Sequence, residues 1–591
     1  MTLKPEARAW VRSAAGGLDP AEAARLAQGA PAPEDEGPRR DEWRLVLVIL
    51  AFAIAYAAVA LRMGLMALAD PAEPALGRSA GGAEPVRGAI SDRDGRLLAA
   101  NLPAWSLYTN PQELKDPVAT ARALDPIFPD MEMEEILARL DRKRRFVWVK
   151  RPVTPRQKQA IMDLVPAQPA LKFGRRDMRV YPAGRMAAHI LGGVRAGEER
   201  VGSAELVGQA GVEKYFDDRL RDPERPDDLD APLALSIDLE VQAALTEELA
   251  RGVARLNAKG GTAILMHVRT GEILAMVSQP DFDPNTPVER VGGGAESPRF
   301  DRAVSGVYEL GSVFKPITAA IAIEAGVAAP DTPIETGSPI RAGRRLIRDI
   351  HAMPSHLSVT DIVRRSSNVG AARLALRVGT RRFQDYLRAL GFFEPIPLEM
   401  HEAKAARPLL PGRWSDLSTM TISFGHGLSV GPLHLLSAYA TLANGGRRVT
   451  PSLVKGGRAP GERVFSERTS AQMLQILRTV VVEGTGRRTD IPGYQVGGKT
   501  GSADKVRPGG GYYRNKVLSS FASVFPTSDP LYAMLVVVDE ATDPETGSRQ
   551  ASRTAVPITA ASIRRLGPLL GLWPIPEPVD RPDALTVGGT R

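Results

Sequence analysis

The sequence predicts an α+β protein whose main domain is an antiparallel sheet flanked by helices. Three observations point there. A strand pair, Thr262 to Val268 and Glu272 to Val277 around Thr270-Gly271, comes early. Further strands at Tyr494 to Ser502, Val517 to Phe525 and Tyr532 to Val538 come late. The residues between are mainly helical in their apolar spacing, so helices are inserted into one sheet.

The elements follow in order. Residues 1–43 are rich in Ala, Pro and Glu with mixed charge, and read as a cytoplasmic tail. Leu45 to Leu61 carries no charge, and with the run to Ala69 it is long enough to cross about 30 Å of hydrocarbon. One transmembrane helix is therefore expected over 44–69. Arg39, Arg40 and Arg44 precede it, which places the N-terminus in the cytoplasm and the remainder outside. A cleaved signal peptide ending near Ala67-Leu-Ala69 is the alternative, but its apolar core is usually only about 7–15 residues. Arg39-Arg40 sits beside Asp41 and Glu42, a poor context for a twin-arginine signal.

Residues 70–86 read as a Pro- and Gly-containing linker. Arg87 to Ile90 and Arg96 to Ala99 flank Asp92-Arg-Asp-Gly95, a hairpin pattern. Helices are expected around Asp130 to Leu140 and Pro155 to Leu164. The module over 70–235 is therefore mixed α/β, and it ends near the charged run Asp222 to Asp228. A helix over Asp238 to Leu256 opens the main domain, 236–573, and a loose tail follows over 574–591.

Composition narrows the function. The 591 residues contain no cysteine, which excludes disulfides, thiolate metal sites and cysteine nucleophiles. Only 5% are aromatic, which argues against a stacking platform for nucleic acid. The net charge of +8 suits either an anionic partner or a solvated arginine-rich surface. The seven histidines show no metal-ligand spacing.

Three short motifs carry chemistry. Ser312-Val-Phe-Lys315 puts a hydroxyl and an amine one helical turn apart, so a neutral lysine can take the serine proton. Ser366-Ser-Asn368 follows a helix that opens on Ser358-x-x-Asp361. Lys499-Thr-Gly501 lies on a strand and offers a cation with a close backbone approach. A lone S-x-x-K arises by chance about once or twice in a chain this long. Ser502-Ala-Asp-Lys505 is such a decoy, because Ser502 ends an expected strand. Ser312 instead follows Gly311 and opens the helical run Phe314 to Ala325, with Pro316 in the first turn. Gly427-Leu-Ser429-Val-Gly431 fits a hydrolase elbow, but the only later histidine, His434, lies in the next expected helix, Leu433 to Leu442.

These motifs resemble those of the class B penicillin-binding proteins, membrane-anchored D,D-transpeptidases. Arg87 to Gly95, Arg179-Val-Tyr-Pro-Ala-Gly184 through His189, and Gly208 to Glu213 resemble the family's non-catalytic pedestal. Tyr308 to Ser312, Ser423-Phe-Gly-His-Gly427 and Ala438 to Gly445 resemble its catalytic domain. The family's Lys-Thr-Gly-Thr is Lys-Thr-Gly-Ser502 here, which keeps a hydroxyl. The resemblance implies a penicillin-binding, serine β-lactamase-like transpeptidase fold in the inner membrane, with the catalytic domain periplasmic.

The same resemblance implies roles. Ser312 is the nucleophile and Lys315 its base. Ser366 relays a proton, and Asn368 binds substrate and helps hold Lys315. Lys499 and Thr500 receive a terminal carboxylate beside Gly501 and Ser502, and the N–H groups of Ser312 and Ser502 form an oxyanion hole. No cofactor or metal is implied. Implied partners are peptidoglycan stem peptides, β-lactams, an FtsW-type glycosyltransferase and other division proteins, with no nucleic acid. The chain looks most like the septal member, with the elongation-specific relative next. A division scaffold and a penicillin-sensing or hydrolysing protein are the alternatives. No E-x-x-x-N element for deacylation stands between Ser366 and Lys499, which disfavours the hydrolase.

Overall fold

The computed structural model describes residue 47 and residues 50–60, 87–200, 203–222, 231–286, 294–342, 345–507 and 509–575. Two compact units are present, Met1–Glu73 and Pro74–Arg591. In the first, residues 50–60 are helical, and Phe52, Ile54 and Tyr56 are exposed. No helix among the described residues is long and apolar enough to cross a membrane. The rest of the expected span, the N-terminal tail, the 70–86 linker, most of the charged run after Asp222 and the tail from 576 lie outside the described residues.

The second unit begins with a sheet. Strand β1 (Ile90–Ser91) pairs antiparallel with β2 (Leu97–Thr109) around the expected Asp92 turn. Helices α1 (Pro117–Leu124) and α2 (Met133–Arg139), strand β3 (Val147–Val153), helix α3 (Pro155–Leu164) and strand β4 (Leu171–Val180) follow. Thr154 and Gln157 close a capping box at the start of α3, and Pro155 occupies its first turn, so the helix begins where the pattern placed it. β3 and β4 both pair with β2. Leu124, Ile136 and Ile161 of the three helices, with Phe128 from the turn after α1, are buried against Leu107 and Val149.

A hairpin of β5 (Gly193–Arg200) and β6 (Ser203–Ala210) leads through short helical turns to β7 (Leu233–Ala234), parallel to β1. Beneath it lies a buried charge cluster. Arg87 donates to Glu213 and to Asp217, each at 2.7 Å, and Arg179 donates to Glu213 at 2.7 Å. Each buried charge is thereby paired, which removing a single partner would undo.

The main sheet is antiparallel throughout, in the order β14 (Gly497–Val506), β15 (Tyr512–Phe525), β16 (Tyr532–Asp539), β8 (Gly260–His267) and β9 (Ile273–Gln279). Helix α4 (Leu239–Arg255) opens this part, capped by the Asp238 carboxylate. Strands β8 (Gly260–His267) and β9 (Ile273–Gln279) form the early hairpin. Small strands β10 (Pro333–Glu335), β11 (Ile340–Ala342), β12 (Arg345–Ile347) and β13 (His356–Ser358) lie among the inserted helices. Those helices are α5 (Lys315–Glu324), α6 (Val359–Arg365), α7 (Asn368–Val378), α8 (Thr380–Ala389), α9 (Asp416–Ile422), α10 (Pro432–Ala443) and α11 (Glu467–Glu483). The late strands are β14 (Gly497–Val506), β15 (Tyr512–Phe525) and β16 (Tyr532–Asp539), and helix α12 (Ala555–Leu569) closes the fold.

Both faces of the sheet are covered over β8, β9 and β16, so these strands are apolar without alternation. Ala263 and Leu265 face α4 and α12, while Ile264 and Met266 face the core of the inserted helices. That second core also takes in Ile90, Leu98 and Val212 from the first sheet region. The Gly211 N–H bonds the Glu402 carboxylate at 3.0 Å, and the Ser236 N–H bonds the Leu453 carbonyl at 2.8 Å.

Both limits of β14 differ from expectation, as does the start of β15. β14 starts at Gly497 because Gln495 has φ 45° and Tyr494 closes a turn onto Ile491. It also runs past Ser502 to Val506, because its polar end pairs with the polar start of β15, Asp504 opposite Val517 and Val506 opposite Tyr512. Ser502 therefore stands inside the strand and does not end it.

Candidate active site

Three backbone elements meet at one edge of the main sheet. Ser312 lies on a tight helical turn, Gly311–Phe314, and the α-helix proper begins at Lys315, one residue after the expected start at Phe314. Pro316 lacks an N–H to continue the ladder backward, and Gly311 enters the turn with φ +64°. The turn is pressed onto β14. A Cβ on Gly501 would stand 2.6 Å from the Leu310 carbonyl oxygen, so only glycine permits this approach.

The one-turn spacing has its expected effect. Lys315 Nζ lies 3.0 Å from Ser312 Oγ and 3.0 Å from Ser366 Oγ, and donates to the Ser366 carbonyl at 2.5 Å. Ser366 offers both oxygens because it ends α6 in the left-handed region, φ 64° and ψ 42°. Ser367 then caps α7, accepting from the Gly370 N–H at 2.9 Å and donating to Asp349 at 2.7 Å. Asp349 also accepts from the N–H groups of Asn368 and Val369, so a carboxylate closes the α7 N-terminus.

From the opposite wall, Lys499 Nζ donates to Ser366 Oγ at 3.1 Å and to the Thr500 carbonyl at 2.9 Å. Both lysines are fully buried. Burial holds Lys315 well below the usual lysine range, aided by the nearby Lys499 charge and opposed by Asp349. Burial also pulls Lys499 down to about 7. The result is an amine able to accept a proton, beside a serine, with a hydroxyl and a second lysine in one connected chain.

Residues 261–563 match the description Penicillin binding protein transpeptidase domain, and residues 83–224 match Penicillin-binding Protein dimerisation domain. The chain is 36% identical to a probable peptidoglycan D,D-transpeptidase FtsI of Caulobacter vibrioides, over 92% of this chain and 91% of the relative. It is 32% identical to the peptidoglycan D,D-transpeptidase FtsI of Escherichia coli, over 85% of each. It is also 32% identical to a probable peptidoglycan D,D-transpeptidase PenA of Neisseria meningitidis, over 77% of this chain and 80% of the relative. The chain belongs to the class B, FtsI-like penicillin-binding proteins. In fold it also resembles the crystal structure of penicillin binding protein 3 from Mycobacterium tuberculosis complexed with aztreonam, with TM-score 0.63 and 24% identity over 83% of this chain and 98% of that one.

In this penicillin-binding protein, Ser312, Lys315, Ser366 and Lys499 come together, and Thr500, Gly501 and Ser502 line the adjoining edge of β14. Asn368 differs from expectation. Its side-chain amide donates to the Arg348 carbonyl at 3.3 Å, and the Ser366 backbone oxygen holds Lys315 in its place. The left-handed turn at Ser366 delivers that oxygen, which leaves the amide two residues on aimed elsewhere.

The decoys separate cleanly. Lys505 pairs with Asp539 at 2.8 Å and Glu540 at 3.0 Å, away from Ser502, because residues three apart on a strand face opposite sides. Ser502 Oγ instead accepts from the Ala551 N–H at 3.1 Å. Ser429 exchanges backbone bonds with Leu409, and the His434 ring bonds the Glu394 carbonyl. Neither arrangement builds a serine–histidine pair.

Four residues given no role from the sequence join the site, two of them, Glu309 and His426, within the stretches that resemble the catalytic domain. Asp349 closes α7, and Thr485 Oγ1 lies 2.7 Å from Thr500 Oγ1. Glu309 accepts from the Gly427 N–H at 2.9 Å and from the Tyr512 hydroxyl at 2.8 Å, tying the nucleophile's approach to β15. His426, packed against Phe424 and Tyr512, is pushed down by burial against the pull of Glu309.

Proposed function

We propose that this chain cross-links stem peptides of septal peptidoglycan through an acyl-enzyme on Ser312. Peptidoglycan D,D-transpeptidation is the activity of its class, and β-lactams are its inhibitors. The observation that carries the residue assignments is the unbroken chain Ser312 Oγ, Lys315 Nζ, Ser366 Oγ, Lys499 Nζ, each link 3.0–3.1 Å.

Neutral Lys315 takes the Ser312 proton as Oγ attacks the carbonyl carbon between two terminal D-alanines. The N–H groups of Ser312 and Ser502 receive the oxyanion, a contribution worth about 10²–10³ in rate. The C–N bond breaks, and Ser366 passes the proton from Lys315 to the departing amine. A second stem peptide's amine then attacks the ester, gives its proton to Lys315, and Ser312 leaves reprotonated. Lys499 and Thr500, with the Ser502 hydroxyl, hold the terminal carboxylate. Asn368 borders the substrate's peptide.

The uncharged run Leu45 to Leu61, preceded by Arg39, Arg40 and Arg44, supports a single membrane anchor with the catalytic domain outside. The mixed α/β module over 70–235 is the pedestal and 236–573 the transpeptidase domain. The FtsI names of the Caulobacter and Escherichia relatives support the septal assignment and division partners of the FtsW type. A functional fluorescent fusion tests this: accumulation at midcell in dividing cells is expected, and a purely lateral pattern contradicts it.

A further inference from the structure

The Thr500 hydroxyl does not stand alone beside Lys499. Thr485 Oγ1 lies 2.7 Å from it and has no other hydrogen-bond partner among the described residues. Thr485 is held in place by its neighbours. The N–H groups of Gly484 and Gly486 both return to the Val480 carbonyl, at 3.0 and 3.2 Å, and the Thr489 N–H closes onto Gly486 at 2.8 Å. A turn pinned this way at the end of α11 presents one hydroxyl to the rim of the cleft.

A hydroxyl has one proton, so the direction of the Thr485–Thr500 bond decides what Thr500 can do. If Thr500 donates to Thr485, no proton is left for a ligand. If Thr485 donates, the Thr500 proton is free to meet an anion. Lys499 Nζ lies 3.4 Å from Thr500 Oγ1, and a donor on that oxygen polarises the Thr500 O–H and makes it the better donor. An anion in front of Thr500 takes that proton and so selects the second direction, in which Thr485, Thr500 and the anion form donors in series that polarise one another.

We propose that Thr485 is a positioning residue for carboxylate recognition: it donates to Thr500 and so turns the Thr500 proton toward the substrate's terminal carboxylate. This rests on the assignment of Thr500 to carboxylate binding made above.

The test compares acylation of the full-length protein by benzylpenicillin, which carries a carboxylate, with acylation by its methyl ester. Thr485→Val lowers the second-order rate with benzylpenicillin about three- to tenfold, the scale of a net hydrogen bond between neutral groups. It changes the methyl ester reaction less than about twofold. Thr485→Ser restores the parent rate, and Thr485→Val adds nothing in a Thr500→Val background. Equal losses with both probes, no loss with either, failure of serine to rescue, or additivity with Thr500→Val overturns the proposal. If Thr500→Val itself fails to distinguish the probes, the carboxylate assignment falls and this inference falls with it. If Thr500→Val distinguishes them and Thr485→Val does not, this inference falls alone.

Discussion

Lys315 and Lys499 reach the same oxygen from opposite walls: Ser366 Oγ is 3.0 Å from one amine and 3.1 Å from the other. Two ammonium groups cannot share one buried hydroxyl without strong repulsion; burial lowers both amines, and the Lys499 charge lowers Lys315 further. The pair thus divides its duties, with Lys315 neutral as base and Lys499 cationic toward an anion.

That division predicts a bell-shaped pH profile for acylation by benzylpenicillin. Lys315 is a base only when deprotonated, so the rate rises as pH rises through its depressed value. Lys499 attracts a carboxylate only when protonated, so the rate falls again as pH rises through about 7 in the free protein. The limbs belong to the coupled pair. Rapid-mixing kinetics from acidic to alkaline pH checks it, and Lys499→Arg moves the alkaline limb upward.

Lys499 also costs stability. Its folded value lies below its unfolded one, so unfolding takes up a proton between about 7 and 10.5, and stability rises with pH through that window. Lys499→Met removes this slope and stabilises the fold by about 1–4 kcal/mol while abolishing efficient acylation. Denaturant titrations at neutral and alkaline pH measure both effects.

Asp349→Asn weakens the cap on α7 and with it the placement of Ser366. It keeps the shape and removes the charge facing the Asn368 and Val369 N–H groups. A loss of about 1–2 kcal/mol in stability is expected, with acylation slowed at least severalfold. Chemical denaturation and penicillin kinetics on the same preparation check the pairing of the two losses.

Glu213→Ala leaves Arg87 and Arg179 facing a buried void of charge. The expected cost is about 3–5 kcal/mol, larger than for Glu213→Gln, which keeps the shape and some hydrogen bonding. Thermal melting orders the two variants against the parent.

What the sequence reveals here follows the range of each interaction. Ser312 and Lys315 were readable because a helical turn links them covalently. The start of α3 was readable because Thr154, Pro155 and Gln157 are adjacent. Asp349 was not, because it precedes Ser367 by a long excursion through β13 and α6 and meets it only in the folded chain. Thr485 was hidden for the same reason. The polar half of β15, Tyr512 to Lys516, has no apolar alternation, and its strand form comes from pairing with β14.

Covalent labelling of the full chain by fluorescent penicillin, read by gel and intact mass, most directly tests the claim that Ser312 is the nucleophile served by Lys315. Ser312→Ala is predicted to abolish the adduct, while Ser429→Ala and Ser502→Ala still acquire it. A folded Ser312→Ala protein that still carries the drug would contradict the account.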